Sequence, residues 1–481
     1  MIGRASRKII ERVFIEGTLR LETPAHFGNG DVVGVTDMPL LRDPLESKPL
    51  LTGASLAGAL RNYLREYEGG YGAGVGSLAN RLFGKIERRT SVQSWLIVDD
   101  TLGETPGTEL RDGVAINPRT RTAEKGKKYD IELLQAGTTF PISFELLLTK
   151  DNNDLLAALA LALRGLESGE IGLGQRKRRG FGQCRVESWR VRRYDLTTTN
   201  GLIAWLADDR TGEKHVTVAD GKGVMQLLNV SLLSDDRRQH FTMEVDCKLT
   251  SSLLIRSGSG AADAPDMAHL TSRRNSEDRP VLSGTSLAGA VRARTFRIAN
   301  TLWPNDPEQA KYLVDRMFGR RIEGRGDEPS GSRVLTREAE LVNTRDLVQS
   351  RVKIDRFTGG SYPTALFTQQ PAFGGEQATV KLHITLRRPE DAEIGLLLLV
   401  LKDLWTGDLP LGGESSVGRG RLEGQCAVLS LYEQGKPTTW QIKRADDRLQ
   451  FEPVESPIKL ESFVKKLRAY KMPQEARRRT E

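Results

Sequence analysis

An internal repeat constrains this chain more than any other feature of its sequence. Residues 50–61 read LLTGASLAGALR, and residues 281–292 read VLSGTSLAGAVR. Each copy is followed by a helical pattern and then by a related pentapeptide, RLFGK at 81–85 and RMFGR at 316–320. Each half later reaches a glycine-rich element, so the motifs recur in one order. The chain is therefore predicted to be a tandem duplication of one domain.

The repeat sets the expected domain boundaries. Between the copies lies a polar stretch with turn signals, TTTNGLIAWLADDRTGEKHVTVADGKG, which is typical of a linker or a small accessory element. The chain ends in a charged tail, PQEARRRTE, which we expect to fray. We predict a first domain at 1–196, a linker or accessory segment at 197–238, a second domain at 239–433 and a C-terminal extension at 434–481.

The hydrophobic pattern within each copy predicts a mixed domain of helices and strands. RVFIEGTLRLET, at the start of the first copy, alternates apolar and polar residues as a half-buried strand does. ASLAGALRNYLREY carries apolar residues at helical spacing. Later strands are followed by strongly apolar helices such as DLLAALALALRGL. This order indicates an α+β fold, and the ferredoxin-like arrangement is the natural candidate.

Composition narrows the class of partner. The formal net charge of +8 favours an anionic partner, although a solvated basic surface explains the charge equally well. No apolar run reaches the roughly 18 residues of a membrane-spanning helix, so we expect no membrane insertion. The three cysteines are scattered without metal-ligand spacing, which fits a reducing cytoplasm better than a disulfide framework.

The repeated helix start has a chemistry that suits phosphate. Glycine ahead of a helix permits close backbone approach, and the N–H groups of the first turn favour an anion. Ser55 and Ser286 lie in that first turn, and Arg61 and Arg292 follow about two turns later. These arginines can add charge-assisted contacts to nucleic-acid phosphates. The alternative is that each helix packs closely against its neighbours through the glycine inside the motif, and that both arginines are only solvated.

The glycine-rich element of the first copy, GLGQRKRRGFG, holds a run of basic residues: Arg176, Lys177, Arg178 and Arg179. A flexible loop that presents a cationic cluster suits a nucleic-acid backbone, which contributes affinity without reading sequence. Phe181 can stack on a base or ribose, or can equally belong to the core. The counterpart in the second copy, SSVGRGR, keeps Arg419 and Arg421 as candidate RNA-binding residues.

The pairing of a Gly-X-Ser-Leu-X-Gly-X-X-Arg helix start with a late glycine–arginine loop resembles the RAMP superfamily of CRISPR proteins. Residues 27–61 and 109–140 are similar, more narrowly, to the backbone subunit that repeats along the guide RNA in type III effector complexes. The second copy matches at its first strand, helix motif and glycine loop, but residues 338–376 depart from the pattern. Two such units in one chain resemble the fused backbone subunits of type III-D variants.

This resemblance implies two tandem modified ferredoxin-like, RRM-like RAMP domains, each with a palm that holds the guide crRNA. It also implies an inserted β-hairpin thumb in each domain, from about residues 85–130 and 320–375, which pushes between bases of the guide–target duplex. The implied partners are the guide crRNA, the target RNA and other CRISPR effector subunits. A site that cleaves target RNA is implied around an aspartate in the loop after the first strand.

The family pattern points to Asp31, within Gly-Asn-Gly-Asp, as the cleavage residue of the first domain. Attack by a ribose 2′-OH needs a proton-accepting or metal-binding group, so Asp31 is also the candidate ligand of a divalent metal, Mg²⁺. His26 lies nearby as a candidate acid or base, although a lone histidine is more often structural. In the second domain Asp263 is the better positional match and Asp266 the second, and a domain that binds without cutting is an equal alternative.

Three functions remain open from the sequence. A guide-binding scaffold that also cuts target RNA accounts for the duplication, because repeated domains can follow a strand. A purely structural scaffold with inactive sites shares the same features. A standalone guide-processing endoribonuclease of the same superfamily normally needs a catalytic histidine or tyrosine, and one copy of the domain suffices for it.

Overall fold

The structure is a computed structural model of the 481-residue chain. The residues that it describes are 8–28, 30, 37–74, 76–86, 91–117, 120, 122–208, 217–232, 234–257, 264–274, 277–320, 330–445 and 448–477. The chain divides into two compact units. The first comprises Met1–Glu109, Glu132–Lys177 and Phe181–Arg238, and the second comprises Leu110–Ile131, Arg178–Gly180 and Gln239–Glu481. Two short stretches of the first repeat therefore group with the second unit.

The strands and helices of the first repeat and of the segment after it have the following bounds. The strands are β1 (Glu11–Leu21), β2 (Leu50–Leu51), β3 (Lys85–Ile86), β4 (Ser91–Val92), β5 (Leu96–Val98), β6 (Thr101–Leu102), β7 (Thr108–Ile116), β8 (Ala123–Leu134), β9 (Thr139–Leu148), β10 (Cys184–Asp195) and β11 (Thr217–Gly221). The helices are α1 (Gly53–Gly69), α2 (Ser77–Phe83), α3 (Asp154–Glu167), α4 (Thr199–Ala207) and α5 (Val224–Leu227).

The central sheet of the first unit is antiparallel, with the spatial order β11-β10-β1-β9-β5. Apart from the edge strand β11, the elements follow along the chain as β1-α1-β5-β9-α3-β10. That succession, with the first strand placed between the last and the third, is the ferredoxin-like arrangement. The predicted α+β, ferredoxin-like fold is confirmed.

Alternation along β1 separates the two faces of this sheet. Val13, Ile15 and Leu19 are fully buried and belong to one apolar cluster with residues of α1 and α3. Helix α3, DLLAALALALRGLE, is buried along most of its length, which explains why its sequence is apolar on nearly every side. Burying one leucine side chain contributes about 1.5–3 kcal/mol. Helices α1 and α3 therefore cover one face of the sheet.

The segment predicted as a linker or accessory element, 197–238, contributes to the first unit. Its strand β11 pairs with β10 and extends the sheet. On the outer face, Ala204 of α4 is buried in a small cluster with Phe14 and Tyr194. Asp208 accepts hydrogen bonds from Tyr194 and from Arg192, which lies 3.2 Å away. The outer face of the first sheet is thus partly covered by protein.

The second repeat contains the same kinds of element and continues beyond them. Its strands are β12 (His240–Leu249), β13 (Ser252–Leu253), β14 (Arg256–Ser257), β15 (Met267–His269), β16 (Thr271–Arg274), β17 (Glu277–Leu282), β18 (Val334–Thr336), β19 (Ala339–Val342), β20 (Arg345–Asp346), β21 (Gln349–Ile354), β22 (Ser361–Gln370), β23 (Ala372–Phe373), β24 (Thr379–Arg387), β25 (Leu422–Glu433), β26 (Lys436–Ala445) and β27 (Arg448–Glu452). Its helices are α6 (Gly284–Leu302), α7 (Pro307–Phe318), α8 (Asp391–Trp405), α9 (Ser456–Arg468) and α10 (Gln474–Arg477).

The central sheet of the second unit repeats the ferredoxin-like order. Strand β12 lies between β25 and β24, and β18 and β19 pair with the far side of β24. The predicted C-terminal extension, 434–481, adds β26 and β27 beyond β25. Its helix α9 packs so closely on α8 that a Cβ on Gly395 would lie 2.4 Å from the carbonyl oxygen of Phe463. None of the helices among the described residues is long and apolar enough to cross a membrane.

Each repeat carries a long two-stranded hairpin outside its central sheet. β7 pairs with β8 in the first repeat, and β21 pairs with β22 in the second. Both overlap the ranges expected for the two thumbs, 85–130 and 320–375. Large apolar side chains are exposed on these hairpins, including Leu110, Ile116, Ile354 and Phe357. Exposed apolar side chains that lie close together commonly mark a surface that contacts a partner.

Candidate nucleic-acid interface

The repeated helix starts are built in the same way. Thr52 caps α1, and its hydroxyl oxygen accepts the N–H of Ser55 over 3.2 Å. Ser283 caps α6 and accepts the N–H of Ser286 over 3.2 Å. The cap hydroxyl also donates to the serine hydroxyl, over 2.8 Å in α1 and 2.9 Å in α6. The predicted helix starts are therefore confirmed, and each motif serine is the third residue of its helix. RNA binding by Ser55 and Ser286 stays a prediction.

The two motif arginines tie their helix to the next helix along the chain. Arg61 donates to the Asn80 side chain over 2.8 Å, and Arg292 donates to Asp315 over the same distance. A guanidinium has five N–H donors, so one such bond is compatible with a phosphate contact. The predicted RNA contacts of Arg61 and Arg292 stay predictions.

The first glycine-rich loop presents its basic residues on a tight backbone. The loop closes where the N–H of Leu173 donates to the carbonyl of Gly182 over 2.9 Å. Arg176 is half-buried and has a left-handed φ of 54°, and a 3-10 turn spans Lys177–Arg179. The three residues of that turn are exposed. Phe181 is only 4% exposed, so of its two possible roles burial favours the core.

The second glycine-rich loop has the same backbone. The N–H of Leu411 donates to the carbonyl of Gly420 over 2.9 Å, and a 3-10 turn spans Ser415–Val417. Glu414 precedes this turn with a left-handed φ of 59°. Position by position, Glu414 is the counterpart of Arg176, and Ser415, Ser416 and Val417 replace the three basic residues of the first turn. Only the first loop keeps the cationic cluster.

Arg419 and Arg421, the two arginines predicted to bind RNA from the second loop, are placed differently. Arg421 is exposed. Arg419 is 3% exposed, and its guanidinium donates to Glu414 over 2.9 Å and to the Ser252 hydroxyl over 3.0 Å. It also donates to Gln349 over 3.0 Å and to Gln369 over 3.2 Å. The burial of Arg419 and its protein acceptors favour a structural role, and RNA binding by Arg419 stays a prediction.

The two best candidates for cleavage, Asp31 and Asp263, lie outside the described residues. Their roles stay predictions. His26, the candidate acid or base beside Asp31, is 1% exposed, and its Nδ1 lies 2.8 Å from the Glu132 carbonyl oxygen. Burial lowers the pKa of His26, although that hydrogen bond opposes the shift. A buried neutral histidine bonded to a backbone carbonyl fits a structural role in the loop better than proton transfer to RNA.

Asp266, the second candidate of the second domain, is exposed and bonded to the hairpin strand β22. Its carboxylate accepts the N–H of Thr368 over 2.7 Å and the hydroxyl of Thr368 over 3.0 Å. In return, the N–H of Asp266 donates to the Thr368 hydroxyl over 3.0 Å. The backbone hydrogen bond from Thr368 lowers the pKa of Asp266. These bonds make Asp266 an anchor of the second hairpin.

Sequence reasoning missed the residues that hold these loops in place. His269 is buried, its Nδ1 accepts the N–H of Ile255 over 3.2 Å, and its Nε2 lies 3.1 Å from the Val281 carbonyl oxygen. Burial lowers the pKa of His269 to about 4. Glu414 was also missed, although aligning the two glycine loops would have placed it opposite Arg176.

The described residues do not assemble a recognisable metal centre. Among them, no three His, Cys, Asp or Glu side chains come together in a way that could hold a metal ion. Asp31, the predicted metal ligand, is not among them. The Mg²⁺ requirement stays a prediction.

Comparison with known proteins bears on the duplicated architecture. A family model for the RAMP superfamily matches the chain twice, over residues 18–185 and 246–423. The chain belongs to the RAMP superfamily. Each match begins within the first strand of one central sheet, ends just inside its last strand, and contains one capped helix start and one glycine-rich loop. The two matches confirm the predicted tandem arrangement.

Two curated proteins are similar to part of this chain. A CRISPR system Cms endoribonuclease Csm3 from Streptococcus thermophilus is 26% identical over 215 residues, which cover 40% of this RAMP chain and 96% of that protein. The protein of the same name from Mycobacterium tuberculosis (strain ATCC 25618 / H37Rv) is 28% identical over 218 residues, which cover 38% of this chain and 89% of that protein. Each relative is thus matched over most of its length by less than half of the present chain.

Proposed function

We propose that this RAMP chain is a guide-RNA-binding backbone subunit of a type III CRISPR effector complex, with two backbone units fused in one polypeptide. The observation that carries the proposal is the duplication of a ferredoxin-like palm with its own hairpin and glycine-rich loop. Two relatives named CRISPR endoribonuclease Csm3 support it. The partners would be guide crRNA, target RNA and other effector subunits, in the cytoplasm.

The first glycine-rich loop is the proposed site for the guide backbone. Lys177, Arg178 and Arg179 are exposed together on one 3-10 turn. Phosphates attract such a cluster irrespective of base sequence, and binding releases counterions. Arg421 is the residue of the second loop that remains a candidate for this role, because Arg419 is buried.

The hairpins are proposed to act as thumbs on the guide–target duplex. At the apex of the second hairpin Phe357 is 99% exposed, and its backbone N–H donates to the Asp355 side chain over 2.7 Å. An apolar ring held at the end of a hairpin can insert between bases, at the cost of unstacking them. Phe357 is therefore the proposed wedge of the second domain.

Cleavage of the target RNA is proposed at Asp31 in the first domain and at Asp263 in the second. Each lies in the loop after the first strand of its domain, as the family pattern requires. A carboxylate there would accept a proton from the attacking ribose hydroxyl or hold a divalent cation. Asp266 is the weaker candidate, because its carboxylate is already bonded to Thr368.

The alternative function is a guide-binding scaffold whose second domain does not cut target RNA. Two observations support it. The second glycine loop lacks the cationic cluster, and Asp266 is an anchor of the hairpin. A standalone guide-processing nuclease is less well supported, because one copy of the domain suffices for it and this chain carries two. Among the described histidines, burial also lowers the pKa of His26, His269 and His383.

The proposal is tested by expressing the full chain with its neighbouring effector subunits and a guide precursor. A backbone subunit should co-purify with RNA of defined short length that nuclease treatment does not remove. It should elute with the other subunits in gel filtration. A chain that elutes alone and without RNA under these conditions, yet processes guide precursor, would instead be a standalone nuclease.

A further inference from the structure

We propose that Arg419 and Glu414 are positioning residues that fix the base of the second hairpin, β21–β22, to the glycine-rich loop of the second domain. In this role they set where the hairpin meets the target RNA, and they do not contact phosphate. The effect on target RNA rests on the proposed function, whereas the attachment of the hairpin to the loop does not. The Arg419–Glu414 network is defined here as these two residues together with Ser252, Gln349 and Gln369.

The network joins three separate parts of the second unit. Arg419 and Glu414 belong to the loop, Ser252 to the short strand β13, and Gln349 and Gln369 to the two hairpin strands. Arg419 donates to acceptors in all three parts. Gln369 in turn donates through its amide nitrogen to Glu414, and it is 1% exposed. Strand β15 also pairs with the end of β22, where Met267 lies opposite Gln369. The loop side chains therefore add a second attachment at the hairpin base, and this one reaches both hairpin strands.

Glu414 is the carboxylate that pairs with the buried Arg419 guanidinium, and Arg256 and Arg351 also lie within 3.7 Å of it. Burial by itself would raise the pKa of Glu414, but hydrogen bonds from Gln369 and Arg256 and the charge of Arg419 bring it below its usual value. Arg256 reaches the same carboxylate over 3.2 Å. A buried guanidinium is costly unless it is paired and fully hydrogen-bonded, so removing an acceptor is expected to disturb the whole arrangement.

The first glycine-rich loop has other residues at the positions of this ion pair. Phe181 stands at the position of Arg419, and Arg176 stands at the position of Glu414. The same loop backbone therefore carries an outward cationic cluster in the first domain and an inward ion pair in the second.

The test compares Arg419→Met with Arg421→Met in the full-length chain. Arg421 is the matched control, because it lies two residues away in the same loop and is exposed. In Arg419→Met, amide hydrogens of residues 349–370 should exchange at least about tenfold faster, while those of β12, β24 and β25 keep their protection. Arg421→Met should leave hairpin exchange unchanged. Unchanged hairpin exchange in Arg419→Met overturns the attachment, whatever the chain does with RNA.

Three further variants provide the test if Arg419→Met does not fold. Gln349→Ala removes a single acceptor on the hairpin side and should accelerate hairpin exchange less. Glu414→Gln keeps an acceptor for Arg419 and should stay nearer to wild type than Glu414→Ala. Equal behaviour of Glu414→Gln and Glu414→Ala, both like wild type, would overturn the role of Glu414.

The effect of Arg419 on the position of target-RNA cuts is measured in assembled complexes. Arg419→Met should spread the target cuts nearest the second hairpin over adjacent nucleotides, whereas a general loss of stability would lower yield at fixed positions. The salt dependence of guide binding should stay as in wild type, because Arg419 neutralises no phosphate. A reduced salt slope in Arg419→Met, with hairpin exchange unchanged, would return Arg419 to the RNA-binding residues. Accelerated hairpin exchange in a chain that neither binds nor cuts RNA would instead count against the proposed function alone.

Discussion

Arg176 and Glu414 occupy the same backbone position in the two glycine-rich loops, with φ values of 54° and 59°. A left-handed φ is uncommon outside glycine, so its recurrence at these two residues marks one inherited loop geometry. The side chains nevertheless carry opposite charges. The turn that follows Arg176 is exposed and cationic, whereas the turn that follows Glu414 consists of Ser415, Ser416 and Val417 and carries no charged side chain. The first domain is therefore expected to contribute most of the affinity for the guide backbone.

Replacing Arg176, Lys177, Arg178 and Arg179 together with alanine should weaken guide binding to a similar extent for unrelated guide sequences. The slope of log affinity against log salt should fall by about one for each phosphate that the loop no longer neutralises. Filter binding at several salt concentrations measures both quantities. Arg421→Ala is the matched control and should lower the slope by no more than about one. An unchanged slope in the fourfold variant would show that this loop does not lie on the RNA backbone.

Asp31→Ala should leave complex assembly and target binding intact while abolishing one cut in the target RNA. Substitutions at exposed polar loop positions change the free energy of unfolding by less than about 0.5 kcal/mol, and the glycine-rich sequence around Asp31 is typical of such a loop. Mapping of the cut positions by gel is the measurement. Asp37→Ala, an exposed aspartate shortly after Asp31 along the chain, is the control and should cut normally.

Asp263→Ala should abolish a second, separate cut if the second domain is active. The two losses should be independent, because each domain addresses its own segment of the duplex. Asp266→Ala should instead loosen the attachment of β22, since it removes the bonds to Thr368. If every cut survives in both variants, the second domain acts as a scaffold only.

Phe357→Ala should not destabilise the chain, because the ring is 99% exposed and buries no apolar surface in the protein. It should reduce target cutting near the second hairpin if the ring separates bases there. The measurement is the fluorescence of a base analogue placed at successive target positions, which rises where bases unstack. Leu366→Ala, at a 70% exposed position on the same hairpin, is the control. A wild-type fluorescence pattern in Phe357→Ala would contradict the wedge role.

Stability should fall as the pH falls, partly because of two histidines in the second domain. Burial lowers the pKa of His269 to about 4, and burial together with the charge of Arg337 lowers that of His383 to about 4. An unfolded histidine has a pKa of about 6.5, so the unfolded state binds more protons between these values. The stability that each neutral histidine contributes is present above pH 6.5 and is lost progressively towards pH 4.

This pH dependence is measured by urea unfolding of wild type and His269→Asn between pH 7 and pH 4. The wild type should lose about 3 kcal/mol more than the variant over that interval, because asparagine does not titrate there. The variant itself should be less stable at pH 7, since it loses the bonds to Ile255 and Val281. Parallel pH profiles would mean that His269 is not buried in the neutral form.

Much of the architecture was determined by local sequence patterns. The duplication is visible in LLTGASLAGALR and VLSGTSLAGAVR, and alternation and helical spacing predicted the ferredoxin-like order that both sheets show. These features could be predicted because they depend on neighbours along the chain: a cap hydroxyl three residues from its partner, or apolar residues on one face of a strand.

Only the tertiary structure decided which polar side chains face inward. Arg419 and Arg421 are both arginines in one glycine-rich loop, yet Arg419 is buried because Ser252, Gln349 and Gln369 supply acceptors from distant parts of the chain. The sequence was compatible with either an exposed or a buried Phe181, and the tertiary structure shows that it is buried. Burying a charged group costs desolvation free energy, so it occurs only where hydrogen-bonding or charged partners surround the group. Those partners come from remote strands, which only the tertiary structure brings together.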